Sequence, residues 1–171
     1  MIVHVKNSGD PRLAQLVKLA SVYYASKLLH KNMSKHIELD VELVDKLSVD
    51  GLSTWEDDYV RPREFSIVIR RDVDQDPAEK MRCHERILLT LAHEMVHVKQ
   101  LARGELKERF GRGDKCVLWK NRKFASIFDS DDYWDLPWEI EAHGKEDGLL
   151  YRFVKHYNLF KEIGYDEEEV V

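Results

Sequence analysis

The sequence feature that most constrains the fold is the run His93-Glu94-Met95-Val96-His97, which lies inside an otherwise apolar segment. Asp76-Pro77 before this segment and Gly104 after it are typical of a helix start and a helix stop, so we predict a helix from about 76 to about 102. The apolar stripe of this helix is wide, which indicates that it is largely buried. Burying two histidines and a glutamate without partners would cost several kcal/mol, so the fold must supply groups that bind them.

The spacing within this run matches a metal site on one face of a helix. Residues four apart in a helix differ by about 40° around its axis, so His93 and His97 point the same way. Two neutral imidazoles at this spacing can hold one zinc ion. Glu94 lies about 100° round from His93, too far for a third ligand, but it can reach a water on the metal and act as its general base. The alternative interpretation is a pair of core histidines with a salt-bridged glutamate.

A catalytic zinc site also needs a third protein ligand and an open position for water. The head of the last predicted helix, Trp138 to His143, offers three candidates. Glu139 and His143 are four apart and share a face, whereas Glu141 lies on roughly the opposite side. We therefore favour Glu139 as the ligand, with His143 as its rival and Glu141 third. If His143 bound as a fourth ligand, the site would be closed and structural; an open catalytic site is favoured because Glu94 would otherwise have no function.

The remaining periodicities predict an α+β fold in a single domain over residues 1–171. We expect an N-terminal helix, three short strands in a small, mainly antiparallel sheet, the buried helix, a hairpin and a C-terminal helix. The hairpin should turn at Lys120-Asn121, and the acidic end of the chain, about 164–171, is expected to fray. In chain order the elements are predicted at 11–31 (helix), 36–43, 52–60 and 65–70 (strands), 76–102 (helix), 117–124 (hairpin) and 137–158 (helix), with polar stretches at 104–115 and 129–132.

Composition and charge exclude several classes of protein. Hydrophobic residues make up 43% of the chain and charged residues 35%, which is typical of a globular protein and not of a disordered one. The net charge of −5 argues against a general nucleic-acid coat or a polybasic membrane binder. The segment from Lys99 to Lys123 nevertheless holds nine basic and three acidic residues, so it carries +6 and the remainder carries −11. We favour a solvated loop there over a nucleic-acid partner.

The chain opens without a charged head and a following apolar run, so no signal peptide is expected. No stretch approaches the ~18 apolar residues that would span a bilayer. We therefore expect a cytoplasmic protein without a membrane partner. Nothing in the sequence indicates an oligomeric state.

Two motifs carry a resemblance to a known family. The run HEMVH on one predicted helix, followed about forty residues later by Glu-Ile-Glu-Ala-His at the head of another, resembles the gluzincin zinc metallopeptidases. The small size and the order of helix, three strands and helix are similar to the minimal members, the minigluzincins. The runs from His93 to Gln100 and from Tyr133 to Ala142 also resemble small metallopeptidases inferred from phage genomes, and a more distant likeness is to SprT-like proteases. The resemblance covers roughly residues 36–157.

This resemblance implies a zincin-like fold in which His93, His97 and Glu139 bind Zn²⁺ and Glu94 is the catalytic base. The implied activity is hydrolysis of peptide bonds in a protein or peptide substrate by a zinc-bound water that Glu94 activates, in the host cytoplasm if a phage encodes the chain. In related proteases an edge strand binds extended substrate, a role that 52–60 or 65–70 would take here.

One position departs from the family. His143 stands where the family often has an aspartate that hydrogen-bonds a ligand histidine; a neutral histidine would accept the same bond. The candidate hydrogen-bond donors for the oxyanion are Tyr133, His143, Tyr151 and His156, and the sequence spacing does not distinguish among them. The alternative functions are a non-catalytic binding or regulatory protein with a structural zinc, and a DNA-associated, SprT-like protease.

Overall fold

The computed structural model describes residues 1–56, 61–71, 77–110, 115–125 and 131–163, and within them the chain is α+β. The longest secondary-structure elements are helices, and the strands are short. The strands are β1 (Ile2–Lys6), β2 (Glu38–Val44), β3 (Gly51–Trp55), β4 (Glu64–Arg70), β5 (Leu106–Phe110), β6 (Lys115–Trp119) and β7 (Arg122–Ala125). The helices are α1 (Pro11–Leu28), α2 (Lys31–Ser34), α3 (Pro77–Ala102), α4 (Pro137–Tyr157) and α5 (Phe160–Ile163), with a 3₁₀ helix at Asp131–Asp135 before α4.

The main sheet has four strands in the order β1-β2-β4-β3. β2 pairs in parallel with both β1 and β4, and β3 pairs antiparallel with β4. Alternate residues of β2 and β4 are buried and form the floor of the core, as period-two alternation predicts. They are Leu39, Val41 and Leu43 on β2 and Phe65, Ile67 and Ile69 on β4.

This sheet corrects the prediction of three mainly antiparallel strands. The antiparallel prediction holds for β3 with β4, but β2 lies parallel to both of its neighbours. For β1 and β2 the physical reason is the crossover through helix α1, which returns the next strand in the same direction. β2 and β4 are connected through β3, which runs antiparallel to β4 on its far side, so β2 and β4 lie side by side in parallel. β1 was not predicted, because its five residues are too few for a clear alternation of apolar and polar side chains. A small, fully antiparallel sheet is present separately, in the order β5-β6-β7.

The three long helices agree with their predicted positions, and they enclose the core with the main sheet. α1 begins at the Asp10 cap, whose side chain accepts from the backbone N–H of Arg12 at 2.8 Å. α3 packs against α1, α4, β3 and β4 and is therefore central to the fold. Tyr24 on α1 reaches α3, where its hydroxyl donates to the carbonyl oxygen of Leu88 at 3.3 Å. The buried histidine-containing segment thus lies between two helices and a sheet.

The smaller sheet contains the predicted hairpin and one strand that was not predicted. Lys120 and Asn121 have φ angles of 48° and 67°, as a two-residue hairpin turn with two left-handed residues requires. β5 lies within the stretch 104–115, which we expected to be a polar loop. Its sequence, Leu-Lys-Glu-Arg-Phe, has little intrinsic preference for a strand, so pairing with β6 determines its conformation.

Several predictions fall outside the described residues. These are the helix cap at Asp76, residues 57–60 of the second predicted strand, residues 111–114 of the polar stretch 104–115, residues 129–130 of the polar loop and the acidic end at 164–171. In the parts of the chain that the structure describes, none of the helices combines the length and hydropathy needed to cross a membrane.

Candidate metal centre

Helices α3 and α4 bring three potential metal ligands together. His93 and His97 come from successive turns of α3, and Glu139 comes from the first turn of α4, where it is 3% exposed. The two Nε2 atoms of the histidines are 3.1 Å apart. Oε2 of Glu139 lies 3.4 Å from Nε2 of His93 and 3.5 Å from Nε2 of His97. These three residues form a group that could hold a metal ion.

The donor atoms fit a tetrahedral cation. Bonds of about 2.0–2.1 Å at tetrahedral angles place neighbouring donor atoms about 3.3–3.4 Å apart, close to the three distances observed. Among the described residues, only two buried side-chain atoms have no hydrogen-bond partner, and Oε2 of Glu139 is one of them. A buried carboxylate oxygen without a donor is costly, and a cation at the centre of this group would remove that cost.

Glu146 orients the first candidate ligand, His93. Its Oε2 lies 2.7 Å from Nδ1 of His93, and because a carboxylate only accepts, the Nδ1–H of the histidine donates to it. In a neutral imidazole the lone pair is then on Nε2, the atom that faces the other two ligands. Glu146 lies seven residues, or two turns, after Glu139 on α4. A carboxylate that orients a ligand histidine in this way raises its affinity for a metal.

Gln100 performs the same function for His97. Its Oε1 lies 2.9 Å from Nδ1 of His97, while its Nε2 donates to the carbonyl oxygen of Trp138 at 2.9 Å and to Oε2 of Glu141 at 3.1 Å. Since the amide nitrogen faces two acceptors, the amide oxygen must face the histidine, and His97 donates from Nδ1. The Nε2 lone pair of His97 is therefore also free toward the group.

Tyr133 completes the arrangement at Glu139. Its hydroxyl donates to Oε1 of Glu139 at 2.8 Å, which leaves Oε2 as the oxygen that faces the histidines. Each of the three ligands therefore has one polar atom bound to a neighbour and the other directed into the group. Such outer partners are typical of a metal site and have no evident purpose in a simple ion pair.

The electrostatics of the group favour a positive charge at its centre. Burial acts to lower the pKa of His93, but its contacts with the carboxylates of Glu139 and Glu146 outweigh burial and raise the pKa to about 9. The pKa of His97 is also raised, because its contact with Glu139 outweighs burial. Burial opposes ionisation of Glu139, yet the neighbouring imidazoles of His93 and His97 hold its pKa well below the usual range. A divalent cation bound at the centre of the group would supply this positive charge.

Replacing Glu146 with glutamine should weaken metal binding about 10–100-fold. Glu146 accepts from Nδ1 of His93 with one oxygen and from Nδ1 of His143, 3.1 Å away, with the other. Glutamine would present its NH₂ group to one of these N–H donors, and a tautomer change at His93 would then block Nε2. Titration of Zn²⁺ against a chelating dye measures the affinity. Asp147→Asn, at the exposed neighbouring position, is the matched control and should bind as the wild type does; equal affinities of the two variants would remove Glu146 from the centre.

Glu94 lies beside the ligands and is not one of them. It is 5% exposed, and it faces strand β3, where Ser53 hydrogen-bonds its carboxylate. Burial raises the pKa of Glu94 above its usual range, although the positive charge of His97 and the hydrogen bond from Ser53 act against this effect. A buried carboxyl group with a raised pKa, next to a group that could hold a metal ion, has the properties of a general base.

Gly51 allows β3 to approach this carboxylate. A Cβ atom at position 51 would lie 2.6 Å from Cγ2 of Thr90 and 2.8 Å from Oε1 of Glu94. Thr90 is β-branched and sits on α3, so it has little freedom to move aside. The close contact between the edge strand and the helix at Glu94 therefore depends on glycine.

Gly51→Ala should lower the free energy of unfolding by about 1–3 kcal/mol, because the added methyl group overpacks the contact between β3 and α3. Chemical denaturation monitored by circular dichroism measures the change. Gly148→Ala on α4 is the control: its Cβ would meet only Nη2 of Arg152, at 3.7 Å, and it should stabilise the helix by about 0.5–1 kcal/mol. Destabilisation of equal size in both variants would contradict the specific role of Gly51.

Glu141 and His143, the other two ligand candidates from the sequence, make different contacts. Glu141 points away from the group and accepts from Nζ of Lys99 at 2.9 Å. The ring of His143 packs against that of His93 with centroids 4.5 Å apart, and His143 donates to Glu146. A second set of donor atoms, from His93, His143 and Glu146, also lies within 4.8 Å, but hydrogen bonds already join its members.

Of the four candidate oxyanion donors, Tyr133 contacts Glu139 and His143 contacts Glu146. Tyr151 packs on Phe160, and His156 packs on Tyr23. Of these four residues, all of which the structure describes, only Tyr133 and His143 therefore lie next to the group.

The basic segment is less available to a partner than its net charge of +6 indicates. Lys99 is buried and its Nζ donates to Glu105 at 2.6 Å as well as to Glu141. Arg103 forms an ion pair with the same Glu105 at 2.9 Å. Lys120 and Arg122 are exposed at the hairpin turn. Part of the positive charge therefore supports the packing of α3 on α4 and β5.

Comparison with protein-family models, with curated proteins and with solved structures found no match. The functional assignment therefore depends on the residues of the centre. Sequence reasoning missed two of these, Glu146 and Gln100. Position 146 shares a helix face with Glu139, since residues seven apart nearly coincide around the axis, and that spacing was the available signal.

Proposed function

We propose that this chain is a zinc-dependent metallopeptidase that hydrolyses internal peptide bonds. The observation that supports this proposal most strongly is the group formed by His93, His97 and Glu139, in which each side chain directs one donor atom inward and has its other polar atom bound. The buried carboxylate of Glu94 next to this group supplies the base that such a hydrolase needs.

The donor set favours zinc over other cations. Two imidazole nitrogens and one carboxylate oxygen are the ligands found in catalytic zinc sites of peptidases, and calcium or magnesium would require mostly oxygen ligands. When bound, zinc supplies a Lewis acid that polarises a carbonyl oxygen and lowers the pKa of water. Three protein ligands leave a position open, whereas a structural zinc site uses four.

Glu94 would move the protons of the reaction. It takes a proton from the attacking water as the water oxygen bonds to the carbonyl carbon of the peptide. It then gives that proton to the amide nitrogen as the carbon–nitrogen bond breaks, so that an amine and a carboxylic acid are released. The hydrogen bond from Ser53 holds the carboxylate on the β3 side of the group, and burial raises the pKa of Glu94, which favours its holding the proton between the two steps.

Strand β3 is placed to align an extended substrate. It is the last strand of the main sheet, it pairs with β4 on one side, and in the described residues no strand pairs with its other side. A peptide that adds to this edge would pass close to Glu94, because Gly51 and Ser53 on β3 both contact that carboxylate. Backbone hydrogen bonds to an edge strand bind a peptide with little dependence on its sequence.

The test uses the intact chain purified without chelators. Mass spectrometry should find about one zinc per chain, and an unfolded protein such as reduced and alkylated casein should be cleaved. Removal of the metal with 1,10-phenanthroline should stop cleavage, and added Zn²⁺ should restore it. A chain that binds no zinc, or that binds zinc and cleaves nothing, would contradict the proposal.

The alternative of a closed, structural zinc predicts a fourth protein ligand, for which His143 is the candidate. Its Nδ1 is bound to Glu146, and in the described residues it is not part of the group formed with His97 and Glu139. X-ray absorption spectroscopy of the zinc-loaded protein distinguishes the two. The proposal requires two imidazoles in the coordination sphere, and three would favour the structural alternative.

A further inference from the structure

The side-chain amide of Gln100 is fully buried, and each of its polar atoms has a partner. Its Oε1 faces Nδ1 of His97 at 2.9 Å, and its Nε2 donates to the carbonyl oxygen of Trp138 and to Oε2 of Glu141. An amide has one acceptor oxygen and a nitrogen with two N–H donors, so these contacts use the whole group. The orientation of this one amide therefore decides which polar atom His97 meets.

The opposite orientation of the Gln100 amide would change the proton position on His97. The NH₂ group would then face Nδ1, which would have to accept, and the proton of a neutral imidazole would move to Nε2. Nε2 is the atom that faces His93 and Glu139. A protonated Nε2 cannot bind a metal ion, so the centre requires the amide oxygen to point at His97.

Two acceptors on helix α4 select this orientation, and they differ in strength. The carbonyl oxygen of Trp138 is a neutral backbone group, whereas Glu141 is a carboxylate whose two oxygens lie 2.9 and 3.1 Å from Nζ of Lys99. A hydrogen bond to an ionised group is about twice as strong as one between neutral groups. Turning the amide would also bring its oxygen against this carboxylate with no donor between them. Glu141 therefore contributes more than Trp138 to holding the amide.

Lys99 holds the carboxylate of Glu141 in place. Its side chain is 8% exposed, and its Nζ donates to both oxygens of Glu141 and, at 2.6 Å, to Oε2 of Glu105. An ammonium has three N–H donors, and these three contacts match them. Glu105 is fixed in turn, because its N–H donates to the carbonyl oxygen of Gln100 at 2.8 Å and its carbonyl oxygen accepts from the N–H of Lys120 at 2.7 Å.

The ion pair between Lys99 and Glu141 is largely withdrawn from water. Such a pair adds little to the stability of a fold, because the loss of hydration offsets the attraction between its charges. Among the described residues, neither Lys99 nor Glu141 belongs to a group that could hold a metal ion. Both nevertheless adjoin Gln100, since Lys99 precedes it in α3 and Glu141 accepts from its amide. The hold on this amide is therefore the function that the contacts of the pair support.

We propose that Lys99 and Glu141 are positioning residues of the metal centre. The pair fixes the amide of Gln100, and the amide keeps the proton of His97 on Nδ1 so that Nε2 can bind the metal. Neither residue touches the metal or the reacting atoms. The inference rests on the proposed function, of which it takes the zinc centre, and it deepens that function by giving Glu141 a role other than that of a ligand.

The first test is the zinc affinity of Glu141→Gln and Lys99→Met in the intact chain. Glutamine at 141 keeps the size of the side chain but cannot accept with both polar atoms, so one donor of Lys99 or Gln100 loses its acceptor. Methionine at 99 removes the group that holds the carboxylate. Titration of Zn²⁺ against a chelating dye should show affinity about 10-fold lower in each variant. Asp147→Asn removes a negative charge from an exposed position on α4 and should bind as the wild type does.

The second test separates positioning from a general structural role. ¹⁵N NMR of the ring nitrogens is recorded on the metal-free chain at an alkaline pH at which the imidazoles are neutral. In the wild type, His93 and His97 should both carry the proton on Nδ1. In Glu141→Gln, His97 should shift toward the Nε2–H form, while His93, whose Nδ1–H donates to Glu146, should not change.

The outcomes distinguish this inference from the proposed function. Wild-type zinc affinity in Glu141→Gln or Lys99→Met, an unchanged His97 tautomer, or an equal change at His93 would overturn the inference even if the wild type binds zinc and cleaves casein. If the wild type bound no zinc, the proposed function would fail, whereas a shift confined to His97 would still support the control of its tautomer by Glu141.

Discussion

Glu94→Gln is expected to reduce peptide hydrolysis about 1,000-fold while the metal stays bound. Glutamine is nearly the same size and can still accept from Ser53, so the contact between α3 and β3 is preserved. It cannot take a proton from water or deliver one to the leaving amine, and the reaction loses its base and its acid together. The measurement is the initial rate of cleavage of labelled casein, with zinc content determined on the same sample.

Glu85→Gln provides the control, because Glu85 lies on the same helix and outside the metal group. It should cleave at the rate of the wild type. If Glu94→Gln retained most of the activity with its metal in place, the general base would have to be another residue and the mechanism proposed above would be wrong.

His93→Ala, His97→Ala and Glu139→Gln should each reduce the zinc content from about one per chain to nearly none after dialysis. The physical reason is that the site has three protein ligands, and each variant removes one of them. Glu139→Gln keeps the shape of the side chain and the acceptor for Tyr133, so a loss of zinc in that variant reflects the missing negative charge. Inductively coupled plasma mass spectrometry measures the content.

His84→Ala is the matched control for the histidine variants. His84 lies on α3 and has the same exposed fraction as His97, 8%, but it is not part of the group. Its removal creates a comparable cavity without removing a ligand, so it should bind zinc normally. Full zinc content in the His97 variant, or equal loss in the His84 variant, would show that the metal binds elsewhere.

The central helix and the shared face of His93 and His97 could be predicted from the sequence, because they depend on helical periodicity alone. His93 and His97 share a face by their spacing of four, and Glu139 was favoured over Glu141 because the two point in opposite directions. The structure places all four side chains accordingly: three meet or face the group, and Glu141 is bound to Lys99.

The partners of the ligands could not be predicted in the same way. Glu146 and Gln100 are ordinary residues on amphipathic helices, and their importance depends on how α3 and α4 are rotated and spaced. His143 was considered as the orienting residue because it is four residues after Glu139. The structure gives that contact to Glu146, one turn further on, because its carboxylate reaches back between His93 and His143.

The main sheet, too, could be predicted only in part. The alternation in β2 and β4 predicts strands and their buried faces, but it contains no information on direction. The parallel pairing of β1 with β2 follows from the crossover through α1, and that of β2 with β4 follows from the position of β3 on the far side of β4. β5 was missed for a related reason, since its conformation depends on pairing with β6 and not on its own residues.

The origin of the ligands in two different helices has a thermodynamic consequence. A zinc ion held by His93 and His97 on α3 and by Glu139 on α4 would be a reversible cross-link across about forty residues of chain. Because the unfolded chain lacks this geometry, free zinc at 100 times its dissociation constant would stabilise the fold by about 2.7 kcal/mol. If zinc binds in this way, the available zinc would determine how long the chain survives proteolysis, and the abundance of the protein would be linked to its capacity to act.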